Sequence, residues 1–237
     1  MAFYGELLLY YRRFENKIFR FILSPKLYAR YSWNREQAAA AWYKADLRMK
    51  SENLSRPEYA PFFEELSAVL KGKNTLGIDL GCGTFRVTKA LIDKIPDANY
   101  LGIDFSDYAI NAYKELSGKH NNIDFVYADI NNLYPWTSHV KQNYNNYKIA
   151  ACSFGVLEYF SENELKNILS ALYNLDGLTR VCFIEPAGWL NLDLVESVRS
   201  GSTRFHNYRK YLTEAGFNVK RYSYLFDNEY VFIVADK

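Results

Sequence analysis

The sequence is poor in the residues that most often betray a function. Of its 237 residues only three are cysteine (Cys82, Cys152 and Cys182), three are histidine and two are methionine. The cysteines are odd in number and widely spaced, with neither a CxxC pair nor a histidine partner pattern. That excludes a disulfide framework, leaves no metal site to expect, and favours a reducing, cytoplasmic compartment. Charge of one sign is equally scarce. A formal net charge of +2 creates no general field for nucleic acid. Low-complexity tracts and internal repeats are absent, and 49% hydrophobic with 24% charged residues is the composition of a folded domain rather than a disordered chain. Long apolar runs are missing too. The opening "MAFYGELLLYYRRFENKIFRFILSPKLY" is interrupted by Arg12, Arg13, Glu15, Lys17 and Arg20 before it could cross a membrane, and it does not read as a signal peptide.

Aromatic residues, by contrast, are plentiful: 21 Tyr and 16 Phe, read first as material for a large core. Phe3, Leu7, Tyr10, Phe14, Ile18 and Phe21 fall at helical spacing and form one apolar stripe. The stripe is expected to pack on the main domain or on a second subunit, as in a homodimer. The alternative is a weak contact with a membrane surface, basic residues at headgroup level. Between Arg199 and Arg221 six basic residues face one acid, Glu214, which reads as a solvated face before an anion site.

Residues 1 to about 70 read as helical, with Pro57 and Pro61 marking a break before "FFEELSAVL". From Thr75 strand and helix signals alternate. "TLGIDL", "NYLGID", "NIDFVYAD", "YKIAACSF" and "TRVCFIEP" are strand-like, and "RVTKALIDKI", "DYAINAYKEL" and "ENELKNILSALYNL" helical. Such alternation predicts a parallel sheet with helices on both faces. "FHNYRKYLTEAGF" reads as a further helix stopped by Gly216, with His206 a candidate cap. "NVKRYSYLF" and "EYVFIVAD", joined only by "DNE", must then be an antiparallel pair, because a parallel pair needs a long crossover.

Ligands of an open parallel sheet sit beyond the carboxyl ends of its strands. Asp79, Asp104 and Asp129 occupy three such ends, 25 residues apart each time. The loop "DLGCGTF" after the first strand is glycine-rich, but a dinucleotide fingerprint would need Gly or Ala where Arg86 stands. Asp79 beside the glycines would also repel a pyrophosphate, so a cationic ligand suits the loop better. No Gly-Lys-Ser/Thr follows, so it is not a P-loop.

"DLGCGT", "GIDFS", "ADI" and "SFGVLEYF", in that order, resemble the class I S-adenosylmethionine-dependent methyltransferases, from about Leu76 to Lys237. The resemblance implies a doubly wound, mostly parallel seven-stranded sheet ending in an antiparallel hairpin, a Rossmann-like α/β fold. It also implies an N-terminal helical lid (residues 1–72) before a cofactor-binding domain (73–237). The implied cofactor is S-adenosylmethionine. By resemblance, Asp79 and the backbone of Gly81, Cys82 and Gly83 hold its methionine portion, and Asp104 accepts the ribose hydroxyls. Phe105 lies against the adenine, Asp129 and Ile130 meet its edge, and Ser153 and Phe154 face the reacting methyl. The family usually has a third glycine where this chain has Phe85. Phenylalanine there is expected to take helical dihedrals and to fill a void beneath the loop; intrusion on the pocket would instead make the domain a catalytically inactive cofactor-binding or scaffold subunit.

The acceptor expected is a small molecule methylated at N or O by in-line displacement, with an RNA or protein acceptor as the alternative. No Asn-Pro-Pro-aromatic motif follows the fourth strand, which disfavours amino methylation of a nucleobase. Candidate catalytic residues are Glu158 and His206, as groups able to remove a proton. Candidate substrate contacts are Tyr159, Glu185 and Trp189 with the lid aromatics Tyr31 and Trp42. His120 and His139 are assigned to polar loops.

Overall fold

The structure, a computed structural model, describes residues 54–187, 198–200, 203–226 and 230–237. The lid aromatics Tyr31 and Trp42, the stripe from Phe3 to Phe21, and Trp189 lie outside the described residues.

Seven strands form one sheet in the order β3-β2-β1-β4-β5-β9-β8. They are β1 (Thr75–Leu80), β2 (Asn99–Asp104), β3 (Ile123–Tyr127), β4 (Lys148–Phe154), β5 (Leu178–Pro186), β8 (Asn218–Leu225) and β9 (Tyr230–Asp236), with β6 (Val198–Ser200) and β7 (Thr203–Phe205) pairing as a separate antiparallel ribbon. The first five are parallel, and β9 enters antiparallel to both β5 and β8. The order reverses at β1, with β2 on one side and β4 on the other, and that switch point opens a crevice at the carboxyl ends.

Among the described residues six helices cover the sheet: α1 (Ala60–Leu70), α2 (Arg86–Ile92), α3 (Asp107–Ser117), α4 (Leu133–Asn143), α5 (Glu162–Tyr173) and α6 (Tyr208–Glu214). Because strand side chains alternate between faces, two cores result. Phe62, Leu66, Leu91 and Ala109 of α1 to α3 pack on the face bearing Ala150, Cys152 and Ile184. Trp136, Leu165, Ile168 and Tyr211 of α4 to α6 pack on the face bearing Ile78, Ala151 and Phe183. β1 is buried along its whole length, as expected of a strand covered on both faces. Arg180 ties three elements together, donating to both Asp236 oxygens (2.7 and 3.2 Å) and to Glu65 of α1 (2.7 Å).

The structure corrects three expectations. Residues 133–143 form α4, so His139 stands on a helix, its Nε2 2.6 Å from Asp124 Oδ2. Pro135 hid this helix, but it occupies the first turn, where its missing N–H costs nothing. α6 begins at Tyr208 and is capped by Asn207, whose side chain accepts from the Lys210 N–H at 2.9 Å, so His206 is not the cap. Finally, Phe85 is not helical. It has φ 60° and ψ 32°, the left-handed conformation.

Candidate active site

The loop between β1 and α2 is bent by three consecutive left-handed positions at alternate residues: Gly81 (φ 69°), Gly83 (φ 49°) and Phe85. This explains the family's third glycine, since glycine takes φ > 0 without a steric penalty. Here the penalty on Phe85 is offset by burial. Its ring is fully buried, 5.8 Å from the Phe125 ring and 6.3 Å from Tyr113. It lies under the loop against Gly102 of β2, where a methyl group would collide with the Phe85 ring and stand 2.7 Å from Cys82 Sγ. Gly102 thus supplies the space that Phe85 fills. The loop is further held by the N–H groups of Gly81 (2.8 Å) and Cys82 (3.2 Å), both donating to the Ile103 carbonyl. Cys82 is buried and burial pushes its thiol pKa well up, leaving it inert.

Asp104, at the end of β2, faces this loop. Its Oδ2 accepts the Gly83 N–H at 3.0 Å and its Oδ1 the Ser106 N–H at 2.8 Å. The carboxylate is fixed at the strand end while each oxygen keeps acceptor capacity for a hydroxyl. Asp79 is buried deeper, beside Gly102 on one neighbouring strand and Cys152 on the other. Its Oδ2 accepts the Thr88 hydroxyl at 2.8 Å. Burial pushes its pKa up to about 6; the Thr88 hydrogen bonds oppose the shift and the nearby Asp104 charge adds to it. Thr88 escaped the sequence reading, although a polar residue on the buried stripe of α2 signals a partner across the helix–sheet contact.

Phe105 is half-buried just beyond Asp104. Asp129 turns the chain after β3, its Oδ1 accepting the Asn131 N–H at 2.9 Å. Ile130 is buried in the core, and its carbonyl accepts the Trp136 indole N–H at 2.9 Å. What Ile130 offers the crevice is therefore backbone.

Across the switch point, Gly155 (φ 67°) follows β4 and donates to the Ile184 carbonyl at 2.8 Å. Ser153 and Phe154 diverge. Ser153 is fully buried and donates to Glu185 Oε1 at 2.6 Å. Glu185, also fully buried, accepts the N–H groups of Val156 (3.4 Å) and Leu157 (3.0 Å). Its carboxyl thus pins the β4 loop to β5, and burial raises its pKa to about 7 against these hydrogen bonds. Val156, so held, packs on Gly81, where a β-carbon would come within 2.6 Å of it. Glu158 is buried on the turn Leu157–Tyr159, Tyr159 is half-buried beside it, and His206 is buried with its ring 5.4 Å from Tyr208. Glu158, Glu185 and Tyr208 are close enough that the two carboxylates, after burial itself, raise the Tyr208 pKa. The structure therefore brings Glu158, Glu185, His206 and Tyr208 into one buried polar cluster behind the β4 loop.

Phe154 faces the other way, half-buried at the strand end. Tyr59 meets it edge-on at 5.3 Å, Phe62 lies at 6.2 Å, and the Arg86 guanidinium sits 5.4 Å from its ring centre. Phe226, after β8, lies 5.2 Å from Tyr59. Tyr59 and Phe226 were not singled out from sequence, and Arg86 was noted only for excluding a dinucleotide fingerprint; aromatics at the proline break and at the hairpin link were the available signal.

This arrangement accommodates the cofactor the loop suggests. A β-carbon added at Gly83 or Gly155 would meet nothing within 4 Å, so both loop backbones border open space on either side of the switch point. The Asp104 carboxylate stands at its edge and Phe85 lies beneath it, clear of it. A fixed carboxylate at the end of β2, glycine backbone for close approach and a buried acid in β1 are the arrangement that the resemblance to the class I S-adenosylmethionine-dependent methyltransferases leads one to expect.

Comparison with known proteins agrees. Residues 78–175 match the family described as "Methyltransferase domain". A tRNA (guanine-N(7)-)-methyltransferase from Clostridium botulinum is 26% identical over 210 residues, covering 75% of this chain and 84% of its own. Among solved structures, the 1,6-didemethyltoxoflavin-N1-methyltransferase of Burkholderia thailandensis, with 1,6-didemethyltoxoflavin and S-adenosylhomocysteine bound, superposes with a TM-score of 0.61 at 13% identity, covering 91% of each chain. The N-methyltransferase NodS of Bradyrhizobium japonicum, in complex with S-adenosylhomocysteine, gives 0.57 at 14% identity and covers 86% of this chain and 99% of its own. The chain spans 60% of an O-methyltransferase family protein from Burkholderia thailandensis (TM-score 0.58, 12% identity, 86% of this chain). Residues 78–175 thus carry a methyltransferase domain, and the chain has the fold of methyltransferases solved with S-adenosylhomocysteine bound.

Proposed function

We propose that the protein methylates an N or O atom of a small-molecule acceptor. The observation that carries this reading is the ring-lined edge formed by Phe154, Tyr59 and Phe226 at the end of β4, backed by the buried Phe62. Three rings around one strand end suit a compact apolar or planar body. S-adenosylmethionine supplies both the methyl and its leaving group, so the chain's own task is mainly alignment, a source of large rate gains. Phe154 and Tyr59 orient the acceptor, and the Gly81–Gly83 loop with Asp104 holds the cofactor. An amine acceptor needs only to shed its proton; Glu158 and His206, the bases expected from sequence, lie buried behind the β4 loop, away from an acceptor at Phe154, and are assigned to shaping that loop. Of residues 1–72, Ala60–Leu70 form α1 of the core, so closing the site as a lid that would exclude water is assigned to the segment before it.

A tRNA acceptor is the second reading, favoured by the Clostridium botulinum relatives. Part of the basic stretch that would serve it is engaged within the fold. Arg209 stacks over Tyr222 (4.8 Å), Arg221 over Phe232 (4.9 Å), and Lys210 lies 3.9 Å from Glu214. Transfer of a labelled methyl group from S-adenosylmethionine to a panel of hydroxy- and amino-aromatic compounds, beside transfer to unmodified tRNA, tests the assignment. Label in the organic extract is expected. Label in acid-insoluble RNA, falling steeply with added salt, would replace the first reading with the second.

A further inference from the structure

The end of β5 grips the end of β4 and the loop after it, residue by residue. The Ile184 carbonyl accepts the Gly155 N–H at 2.8 Å. On the next residue, Glu185 Oε1 accepts the Ser153 hydroxyl (2.6 Å) and the Val156 N–H (3.4 Å), and its Oε2 accepts the Leu157 N–H (3.0 Å). The Glu158 N–H bears on the same carboxylate. Only an ionised carboxylate, with acceptor sites on both oxygens, can satisfy so many donors at once. Glu185 is fully buried, so whatever it does for a ligand it does through the loop it holds.

That loop meets the glycine loop through Val156. The Val156 side chain occupies the space beside Gly81, where a β-carbon would stand 2.6 Å from both of its methyl groups. Gly81 in turn is left-handed (φ 69°) and donates to the Ile103 carbonyl of β2, and Gly83, two residues on, donates to Asp104. A path of contacts therefore runs from Glu185 through Val156 and Gly81 to the backbone that borders the open space at the switch point. The titratable groups that face Glu185 are Glu158, on the turn Leu157–Tyr159, and Tyr208 of α6, against whose ring His206 stands edge-on. From β9 the apolar Val231 lies opposite it.

Resting on the methyltransferase reading above, we propose that Glu185 is a positioning residue for the cofactor: its carboxylate holds Val156 against Gly81 and so fixes the glycine loop in the shape that receives S-adenosylmethionine. Hydrogen bonds to an ionised acceptor are about twice as strong as neutral ones, so the grip is tight with the carboxylate ionised and slack with it protonated. Burial raises the Glu185 pKa to about 7. A fall in pH through neutrality therefore loosens the loop, and cofactor binding near that pH expels a proton.

The test is calorimetric titration of the full-length protein with S-adenosylhomocysteine at about pH 8 and about pH 6, on either side of the Glu185 transition. At the higher pH Glu185→Gln is expected to bind about tenfold more weakly than the wild type, because an amide has one acceptor oxygen where the carboxylate has two. At the lower pH the wild-type carboxyl is itself neutral, and the difference should shrink to about twofold. Asp79 titrates in both proteins and cancels in that ratio. Val156→Ala keeps the carboxylate and its hydrogen bonds but breaks the contact with Gly81. It is expected to weaken binding at the higher pH and to lose the same pH dependence, and this mild truncation decides the matter should Glu185→Gln fail to fold. Equal affinities of wild type and Glu185→Gln at the higher pH, a ratio that does not change with pH, or unchanged affinity in Val156→Ala would overturn the positioning role and leave the methyltransferase reading standing. Failure of the wild type to bind S-adenosylhomocysteine at either pH would overturn both.

Discussion

Phe85 and Gly102 make a pair whose energetics can be worked out in advance. Replacing Phe85 by alanine removes a fully buried ring and keeps the left-handed backbone, so it should destabilise the fold by about 3–5 kcal/mol, the usual range for such truncations. Glycine removes the same ring but releases the backbone strain, worth about 1–2 kcal/mol, which leaves a net loss of about 1–4 kcal/mol. Phe85→Gly should therefore be more stable than Phe85→Ala, the reverse of the order expected at an ordinary helical position. Gly102→Ala in the wild type would force the new methyl onto the Phe85 ring and Cys82 and should cost about 1–3 kcal/mol through overpacking. In the Phe85→Gly background the ring is gone, so most of that cost should vanish. Urea unfolding of the four-member cycle, with Phe85→Ala alongside, measures every term. In melting temperature, Phe85→Gly should fall by about 2–16 °C at about 2–4 °C per kcal/mol for a chain of this size. An alanine variant as stable as the glycine variant would refute the left-handed assignment. Additive costs at the two positions would refute the ring's placement.

Three further outcomes are expected. Asp104→Ala should weaken S-adenosylhomocysteine at least about tenfold by calorimetry, since hydrogen bonds to a charged group are worth about 1.5–3 kcal/mol each; unchanged affinity would remove Asp104 from the cofactor site. Asp79, with a folded pKa of about 6 against 3.8, binds its proton more tightly when folded, so its contribution is fully present below the unfolded value and is lost as pH rises through the folded one. The stability of the wild type relative to Asp79→Asn should accordingly fall between pH 4 and about 6.5, and a difference that grew with pH would show the ionised form to be the favoured one. Tyr208→Phe removes a buried hydroxyl that meets no partner among the described residues, so it should be neutral or stabilising by up to about 1 kcal/mol; a loss of stability in urea unfolding would show that the hydroxyl is satisfied.

The sheet was largely legible in the sequence because its strands carry period-two or fully apolar patterns between turn residues. "TLGIDL" and "NYLGID" became β1 and β2 at those very residues. Helix α4 was not legible, because Pro135 and the polar run around it mask a pattern in which only Trp136 and Val140 are buried. Phe85 shows a different limit. Sequence patterns report which side chains are apolar, whereas a left-handed φ depends on the space that Gly102, from another strand, leaves open. The same holds for Glu185. An acid at a strand end reads as a ligand contact, and only the fold reveals that its oxygens are taken by Ser153, Val156 and Leu157. Tyr59 and Phe226 were invisible as a pair because more than 150 residues of chain separate them.

The position of β9 has a consequence for how the chain comes together. It is the last strand in chain order, yet it lies inside the sheet, between β5 and β8. As the chain leaves the ribosome, β1 to β5 can associate, but the outer edge of β5, with Val181, Cys182, Phe183 and Ile184, must wait for Val231 to Ala235. During that interval an apolar strand presents unpaired backbone groups, the condition under which nascent chains pair with one another. Slow synthesis past residue 186 would lengthen this exposure, and binding by a chaperone at β5 would shorten it.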